Sequence, residues 1–494
     1  MRRALLIIIA ITTFGLVANA QWVQIGEDID GEAADDRSGS SVSLSGDGTT
    51  VAIGALFNDG GGENSGHVRI YSNIGGVWIQ VGADIDGEEE EDRLGNKVSL
   101  NSDGTIVAVA AYVNGGNGVA AGHVRIFQNI GGVWTQVGAN IDGEASGDQS
   151  GYSMSLSSDG GTVAIGAPFN DGNGTDAGHV RIYRNIDGAW TQVGQDIDGE
   201  SQFDNSGFSV SLSRDATTVA IGAIINSGNG TGSGHVRIFR NSNDNWVQVG
   251  ADIDGEAAFD HSGISVSLNG DGTFVAIGAI WNDGNGNKAG QVRVYSESGG
   301  SWVLVGGDID GEDAEDLSGS SVSLSYDNTV LAIGARQNAG NGPDAGHVRV
   351  YRSTGADPDI DGEAEGDRSG ASVSLSSDGS TLAIGAKRND GNGLDAGHVR
   401  VYSFNDTPVG IQEKGTHSID VYPNPTTGLI NLSFNDTEQY RTVNFYNPIG
   451  VLIHTDQVSD MSSYEFQLPL TQGVYLVQLV NAIGEMSTVK VARK

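Results

Sequence analysis

A repeat of 56 residues constrains this chain more than any other feature of its sequence. The tag Asp-Ile-Asp-Gly-Glu, with one variant at Asn140, occurs seven times, and so does Val-Ala-Ile-Gly-Ala or a close relative. Units of this length cannot bury their apolar faces alone and are stable only when stacked on neighbours. Six tryptophans follow one another at the repeat spacing: Trp22, Trp78, Trp134, Trp190, Trp246 and Trp302.

Each repeat contains four short β-like runs separated by Gly-, Asp- and Asn-rich turns, and no segment has a helical period. Four short strands per repeat are typical of a propeller blade. We therefore predict an all-β protein, a seven-bladed β-propeller followed by a small β-sandwich; a β-solenoid is the alternative, although its rungs are usually shorter. In the first copy the strands, named A to D, are Ser41–Ser45, Val51–Ala55, His67–Tyr71 and Trp78–Val81.

The two ends of the repeat region predict how the ring closes. The region begins with an isolated D strand, Trp22–Ile25, and its seventh unit ends at strand C, Val399–Tyr402. The N-terminal strand is therefore expected to complete the seventh blade, which leaves only short, protected edges. The sixth unit is five residues shorter than the others around Ser353–Pro358, so its outer strand should be short or absent.

The segments outside the repeat have their own signals. Arg2 and Arg3 precede an apolar run, and Ala18-Asn19-Ala20 fits a cleavage site, so residues 1–20 are predicted to be a signal peptide cleaved after Ala20. Residues 21–405 form the predicted propeller, 406–417 a linker and 418–494 a C-terminal domain. No later segment is long and apolar enough to predict a transmembrane helix.

Composition excludes several kinds of function. The formal net charge of −37 argues against binding to nucleic acid or to an anionic membrane, and favours cations or basic partners. The absence of cysteine excludes disulfides, thiol chemistry and Cys-type metal sites.

The repeats resemble a known family. Tyr152–Gly160, followed by Ala164-Ile-Gly-Ala-Pro168, is similar to FG-GAP repeats, the blades of integrin-α-type propellers, and the likeness covers about Gln21 to Asn405. The calcium loop of that family, D-x-D-x-D-G between strands A and B, is reduced here to Ser45–Thr49 and its equivalents. That loop has too few ligands, so the resemblance implies no metal site between these strands.

The C-terminal domain resembles a second family. The opening Val421–Leu432, with its Tyr-Pro-Asn-Pro-Thr-Thr-Gly motif, the strand Gly473–Leu479 and the basic end Arg493-Lys494 are similar to the type A sorting domain of the type IX secretion system of Bacteroidota. This resemblance implies contact with the type IX machinery through residues 418–494 and passage through the outer membrane. Removal of the domain would follow, with release or lipopolysaccharide anchoring. An ordinary adhesive sandwich is the alternative.

The loops predict which face of the propeller carries function. The A–B and C–D loops share one face and are short, whereas the longer, polar B–C and D–A loops share the other, which we take as the candidate functional face. The D–A loop reads D-x-D-G-E-x-x-x-D, and oxygen ligands at positions 1, 3, 5 and 9 favour one Ca²⁺ per blade. The alternative is that these residues only shape the turn. The candidate calcium ligands are Asp28, Asp30, Glu32, Asp36, Asp84, Asp86, Glu88, Asp92, Asp196, Asp198, Glu200, Asp204, Asp252, Asp254, Glu256 and Asp260.

Three further residue types recur or stand out. His67 and its equivalents begin strand C, and the replacement of one of them by Gln291 favours a hydrogen-bonding role over a metal. Arg69 and its equivalents occur in all seven units and are expected to pair with an acid of the neighbouring blade. Trp281 lies on the candidate face, where it either stacks on a ligand such as a sugar ring or caps its loop.

These observations favour a secreted or surface-displayed, non-enzymatic binding or adhesion protein whose partner is an extracellular protein or glycan. The alternative is a secreted hydrolase acting on extracellular polysaccharide. An asymmetric pocket holding a pair of carboxylates would favour the enzyme. A uniform seven-fold face would favour the binder.

Overall fold

The computed structural model describes residues 21–352 and 355–405, and in the C-terminal part 420–422, 426–433, 440–446, 452–458, 463–469, 473–481 and 486–493. The predicted signal peptide and linker lie outside these residues. All regular elements in the described part of the chain are β-strands. Within the same residues, no helix has the length and apolarity that a membrane span requires. The described residues between 21 and 405 belong to one compact unit, and the described C-terminal strands belong to another.

The first compact unit contains seven five-stranded antiparallel sheets, which are the predicted blades. In blade one, strands A to D are β3 (Ser38–Leu44), β4 (Thr50–Ala55), β5 (His67–Ile74) and β6 (Val77–Gln80). A fifth strand of two residues, β7 (Ile85–Asp86), pairs with the beginning of β5 in line with β6. Two short strands precede this blade, β1 (Gln21–Gln24) and β2 (Ile29–Asp30).

Blades two to six repeat this order. Blade two contains β8 (Lys97–Leu100), β9 (Ile106–Ala111), β10 (His123–Ile130), β11 (Val133–Gln136) and β12 (Ile141–Asp142). Blade three contains β13 (Ser153–Leu156), β14 (Thr162–Ala167), β15 (His179–Ile186), β16 (Ala189–Gln192) and β17 (Ile197–Asp198). Blade four contains β18 (Ser206–Leu212), β19 (Thr218–Ala223), β20 (His235–Asn241), β21 (Trp246–Gln248) and β22 (Ile253–Asp254). Blade five contains β23 (Ser262–Leu268), β24 (Phe274–Ala279), β25 (Gln291–Ser298), β26 (Ser301–Leu304) and β27 (Ile309–Asp310). Blade six contains β28 (Ser318–Leu324), β29 (Val330–Ala335), β30 (His347–Arg352), β31 (Gly355–Ala356) and β32 (Ile360–Asp361).

Blade seven closes the ring with both ends of the unit. Its own strands are β33 (Ser369–Leu375), β34 (Thr381–Ala386) and β35 (His398–Asn405). Strand β1 supplies the outer strand, since Gln21 pairs with Asn405 and Gln24 with Tyr402. Strand β2 pairs with the beginning of β35. The predicted closure by the N-terminal strand is confirmed.

The shortened sixth repeat has the predicted short outer strand, because β31 has only two residues. A local set of contacts compensates at this position. The Trp22 indole donates to the Asp357 carboxylate at 3.0 Å, whereas Trp78 donates to the backbone carbonyl of Ile25. Arg352 forms an ion pair with the same Asp357 carboxylate at 3.0 Å and lies over the Trp22 ring.

A closed ring of seven backbone hydrogen bonds surrounds the axis at the A–B turns. The Gly46 N–H donates to the Ser102 carbonyl at 2.7 Å, and each A–B turn repeats this contact with the next blade until the Ser377 N–H donates to the Gly46 carbonyl at 2.8 Å. Beside this ring, Leu44 and its six equivalents narrow the channel along the axis. The other bonds of the ring join Ser102 to Ser158, Ser158 to Arg214, Arg214 to Gly270, Gly270 to Tyr326 and Tyr326 to Ser377.

The apolar core lies between blades. Ala52 and Val68 of blade one pack with Val107 and Val109 of blade two in a single cluster, and similar clusters recur around the ring. The close approach requires glycine: a Cβ atom on Gly54 would lie 2.0 Å from the carbonyl oxygen of Gly95 in the connection to the next blade. Each blade therefore buries its apolar surface only against its neighbours, as the repeat predicts.

The described C-terminal strands form two sheets. Residues Ile430, Phe445 and Tyr475 belong to one buried cluster to which both sheets contribute, so the unit is a small β-sandwich. One sheet contains β36 (Asp420–Tyr422), β37 (Leu429–Ser433) and β40 (Ser463–Gln467). The other contains β38 (Tyr440–Tyr446), β39 (Leu452–Gln457), β41 (Gly473–Asn481) and β42 (Met486–Arg493).

Deleting Gln21–Gly26 should lower the melting temperature of the propeller, because it removes β1 and exposes one edge of β35. Trp22 is only 6% exposed, and loss of a buried aromatic side chain alone costs about 3–5 kcal/mol. Differential scanning calorimetry measures the change. As a control, Val23→Ala trims an exposed side chain of the same strand and should leave the transition almost unchanged. An unchanged melting temperature after the deletion would contradict closure by β1.

Candidate functional site

The B–C and D–A loops lie on one face, as predicted, and they are hydrogen-bonded to each other. In the first repeat the Arg93 N–H of the D–A loop donates to the Asn64 carbonyl of the B–C loop at 3.2 Å, and Leu94 donates to Ser65 at 2.8 Å. Similar bonds recur in the other copies. The face therefore presents a set of loops held in place by backbone contacts.

The last acid of the D–A loop shapes the turn. Asp36 is 3% exposed, and its carboxylate accepts the Ala33 N–H at 2.9 Å and the Asn58 side-chain amide at 3.1 Å. The Asn–Asp contact occurs in all seven copies. Side-chain-to-backbone bonds of this kind fix turn conformations. The remaining pairs join Asn114 to Asp92, Asn170 to Asp148, Asn226 to Asp204, Asn282 to Asp260, Asn338 to Asp316 and Asn389 to Asp367.

The other three acids of the same loop have different surroundings. Glu32 approaches Arg69 at 3.6 Å and His67 at 3.7 Å, both in the following blade. Asp28 instead lies 3.6 Å from His398 in the preceding blade. Asp30 has an exposed side chain, and its backbone carbonyl accepts the Arg69 guanidinium at 2.6 Å. The structure thus does not gather the four acids of one loop around one point.

The arginine prediction is confirmed by these contacts. The Arg69 guanidinium bridges to the preceding blade through Glu32 and the Asp30 carbonyl, and the carbonyl bond recurs in all seven copies at 2.6 to 2.8 Å. A buried guanidinium needs such partners because desolvation of an unpaired charge is costly. We call each set of four such residues a junction: the Glu, the Arg and the His, together with the first Asp of the following D–A loop.

Five junctions bring a glutamate, a histidine and an aspartate within reach of one metal ion. Imidazole nitrogen with two carboxylates suits a transition metal better than calcium, which takes oxygen ligands. The other two junctions depart from this donor set: Asn140 replaces the aspartate in one, and Gln291 replaces the histidine in the other and donates to Glu256 at 3.1 Å. The five sets are Glu32–His67–Asp84, Glu144–His179–Asp196, Glu200–His235–Asp252, Glu312–His347–Asp359 and Glu363–His398–Asp28.

The junction histidines are neutral at physiological pH. Burial, and after it the adjacent Arg69 guanidinium, lower the pKa of His67 to about 4, although Asp84 and Asp36 act in the opposite direction. Burial and Arg181 lower the pKa of His179 to about 4 in the same way. At pH 7 the junction therefore consists of an Arg–Glu ion pair beside an uncharged imidazole.

Trp281 lies on the predicted face, but its indole is already in contact with neighbours. His261 stacks on the ring with centroids 4.1 Å apart, and the Lys288 ammonium lies 5.0 Å from the ring centroid. The side chain is 37% exposed. Its predicted contact with a ligand stays a prediction.

A further break in the seven-fold pattern lies on the axis. A funnel of about 590 Å³ opens among the starts of strands A and the B–C loops, on the predicted functional face. Its wall includes the cations Arg37, Lys97, Arg336 and Lys387, and no Asp or Glu among the described residues lines it.

Aromatic residues form another part of the funnel wall. Tyr152 is half-buried and contacts Phe208 with ring centroids 4.7 Å apart and Tyr112 at 5.6 Å. Burial raises the pKa of Tyr152 to about 12, so its hydroxyl stays protonated. The funnel thus combines positive charge with flat aromatic surface.

The cations of the funnel repel one another. Burial first, and then the neighbouring cations Arg336, Arg368, Arg37 and Lys97, lower the pKa of Lys387 to about 8. Desolvation by the surrounding walls also lowers the pKa of Lys97, although the residue itself is exposed to solvent.

Sequence reasoning missed the cationic residues of the funnel, although a signal was present. Lys97 occupies a position that is serine in the other six copies, and Arg336 and Lys387 occupy one that is otherwise Leu, Tyr, Pro or Ile. Aligning the copies for departures from the repeat, rather than for recurring acids, would have identified them.

Comparison with known families agrees with both resemblances. Residues 29–71 and 252–295 match the FG-GAP repeat family, and residues 420–492 match the secretion system C-terminal sorting domain. No curated protein sequence matches the chain.

Two solved structures are similar to the propeller. A putative 6-phosphogluconolactonase from Bacteroides uniformis is 12% identical, with a TM-score of 0.45, over 65% of this chain and 83% of that chain. A Dos1 propeller is 14% identical, with a TM-score of 0.44, over 77% of this chain and 95% of that chain. Similarity at this level carries no argument about function.

Acid should destabilise the protein in part through the junction histidines. Because the folded-state pKa of His179 is about 4 and the ordinary value is 6.5, the unfolded chain binds the proton first as pH falls. Stability is therefore full above pH 6.5 and is lost as the pH falls towards 4. We expect His179→Gln to reduce the loss by about 2 kcal/mol and Gln291→His to increase it. Urea unfolding at pH 7.5 and 4.5 measures both, and equal losses in all three proteins would contradict the assignment.

The calcium prediction stays open as a proposal about stability. Desolvation and the neighbouring Asp196 carboxylate raise the pKa of Asp198, so a cation would relieve repulsion there. We expect millimolar CaCl₂ to raise the melting temperature more than NaCl of equal ionic strength. Exchanging Asp196, Asp198 and Glu200 for Asn, Asn and Gln should remove part of that increase.

The control for this experiment is Asp187→Asn, which removes an exposed carboxylate from a C–D turn on the opposite face. It should leave the calcium effect intact. Equal shifts in CaCl₂, MgCl₂ and NaCl would mean that the loop acids are only screened. A shift with ZnCl₂ alone would assign the junctions to a transition metal instead.

Proposed function

We propose that this chain, which carries FG-GAP repeats and a C-terminal type IX sorting domain, is an extracellular binding or adhesion propeller without enzymatic activity. The sorting domain indicates export to the cell surface or the medium. Cleavage of a signal peptide after Ala20, removal of the sorting domain, and release or lipopolysaccharide anchoring are parts of the same proposal.

The predicted face is not a uniform seven-fold surface, but the break in its symmetry contains cations rather than the carboxylate pair that would favour an enzyme, and this observation carries the proposal. Junction residues recur from blade to blade and join neighbours, so they account for the stability of the ring. The funnel, in contrast, contains residues that depart from the repeat, and it opens on the face with the longer loops. Binding surfaces are commonly formed by loops on a rigid scaffold.

The alternative of a polysaccharide hydrolase receives no support from the funnel. Glycoside hydrolysis generally needs two carboxyl groups on either side of the scissile bond. The described residues of the funnel wall include neither Asp nor Glu. The recurring acids lie instead in the loops and junctions, where Glu32 and Asp36 are engaged with neighbours.

A glycan and matrix-protein array tests this proposal. The chain from Gln21 to Lys494 should bind one class of ligand and release no hydrolysis products, with and without calcium. Arg336→Ile with Lys387→Ile uses residues that other blades have at this position, so it should fold and lose binding.

The control variant is Arg214→Ser, which removes a cation from the opposite end of the axis. It should bind like the unaltered chain. Turnover of any polysaccharide on the array would favour the hydrolase. Absence of binding to every glycan and matrix protein would contradict the binding role.

A further inference from the structure

We propose that the axial funnel binds a small anionic group, a carboxylate or a sulfate, carried on a sugar ring at the end of an acidic glycan. This inference rests on the proposed binding function and names its ligand class. It is carried by three independent features of the funnel: unpaired cations, a costly departure from the repeat, and an aromatic wall above a closed base.

The first feature is unbalanced positive charge in a strongly acidic protein. The formal net charge is −37, yet Lys97, Arg336 and Lys387 have no ion-pair partner among the described residues. Nearby, Arg93 and Arg368 are paired, with Glu91 at 3.5 Å and Asp344 at 3.3 Å. Clustered cations without counterions repel one another, and an anion bound between them would relieve that repulsion.

The second feature is the structural cost of Lys97. Serine occupies its position in the other six copies, and each serine hydroxyl donates to a glycine carbonyl of the next blade, as Ser41 does to Gly95 at 2.8 Å. The lysine side chain has no equivalent bond among the described residues. A residue that gives up a repeated inter-blade bond has no evident role in stability. The other five serine–glycine pairs join Ser153 to Gly207, Ser209 to Gly263, Ser265 to Gly319, Ser321 to Gly370 and Ser372 to Gly39.

The third feature is the shape and chemistry of the wall. Tyr112, Tyr152 and Phe208 present half-buried rings on which the apolar face of a sugar can stack. Ser40 and Asn96 line the same space and can bond to sugar hydroxyls. A volume of about 590 Å³ suits one or two sugar rings.

The funnel admits an end group rather than a chain passing through the ring. Beyond the base of the funnel, Leu44 and its six equivalents narrow the channel along the axis. The ring of seven backbone hydrogen bonds encircles the same channel. The hydroxyl- and amide-bearing wall favours a glycan end over an acidic peptide, whose backbone would need partners in a groove.

Isothermal titration calorimetry on the chain from Gln21 to Lys494 tests the inference. The probes are glucuronic acid, a sulfated monosaccharide, inorganic sulfate, neutral glucose and a short acidic peptide. Glucuronic acid or the sulfated sugar should bind at least tenfold more tightly than glucose, and the salt dependence should be strong. The two acidic sugars distinguish carboxylate from sulfate, and inorganic sulfate measures the anion without the ring.

The decisive variant is Lys97→Ser, which restores the residue of the other six copies. It should weaken binding of the acidic sugar by about tenfold, the scale expected for one charge-assisted contact, while the melting temperature stays equal or rises. The control is Arg214→Ser, which should change neither. A structural role for Lys97 would instead lower the melting temperature.

Three outcomes would overturn the inference. They are equal affinity for glucose and glucuronic acid, unchanged affinity of Lys97→Ser, and binding of the acidic peptide alone. If a ligand found on the array still binds to Lys97→Ser and to the Arg336→Ile, Lys387→Ile double variant, the funnel is not its site but the binding function stands. If no array ligand binds to the unaltered chain, the proposed function itself fails.

Discussion

Closure around the axis is the constraint on which the rest of this propeller depends. At every A–B turn one amide donates to the next blade, and the seventh bond returns to Gly46. A ring of this kind closes only when the rotation from each blade to the next is the same. The loss of one contact would therefore alter the position of every blade. The apolar clusters between blades and the glycines that permit their close approach reinforce the same geometry.

The same closure separates structural residues from functional candidates. A group that every blade repeats, such as the Arg69 bond to the Asp30 carbonyl, joins neighbours and needs no external ligand to explain it. A group that one blade alone carries has no equivalent partner in the ring. Lys97 is such a group. Its strand lies on the axial side of the blade, so its charge lies near the cations that distant blades contribute to the funnel.

Much of the architecture could be predicted because each repeat specifies one blade from residues that are close together in the sequence. Blade number, the closing role of Gln21–Gln24 and the shortened β31 all follow from counting strands along the chain. The site could not be predicted in this way. The acids of one D–A loop are adjacent in sequence but separate into different junctions, whereas Lys97 and Lys387 are far apart in sequence and meet only because the ring closes.

The closure by β1 also determines how the propeller would respond to a mechanical load. A chain held through residues beyond Asn405 would transmit force into β35, which lies between β34 and β1 and is not an edge strand. Hydrogen bonds on both sides would have to break before that strand could be drawn out. If the last strand of the propeller were instead the outer strand of its blade, the same force would separate it from one neighbour only. Closure by the N-terminal strand therefore gives a tethered propeller a stronger point of attachment.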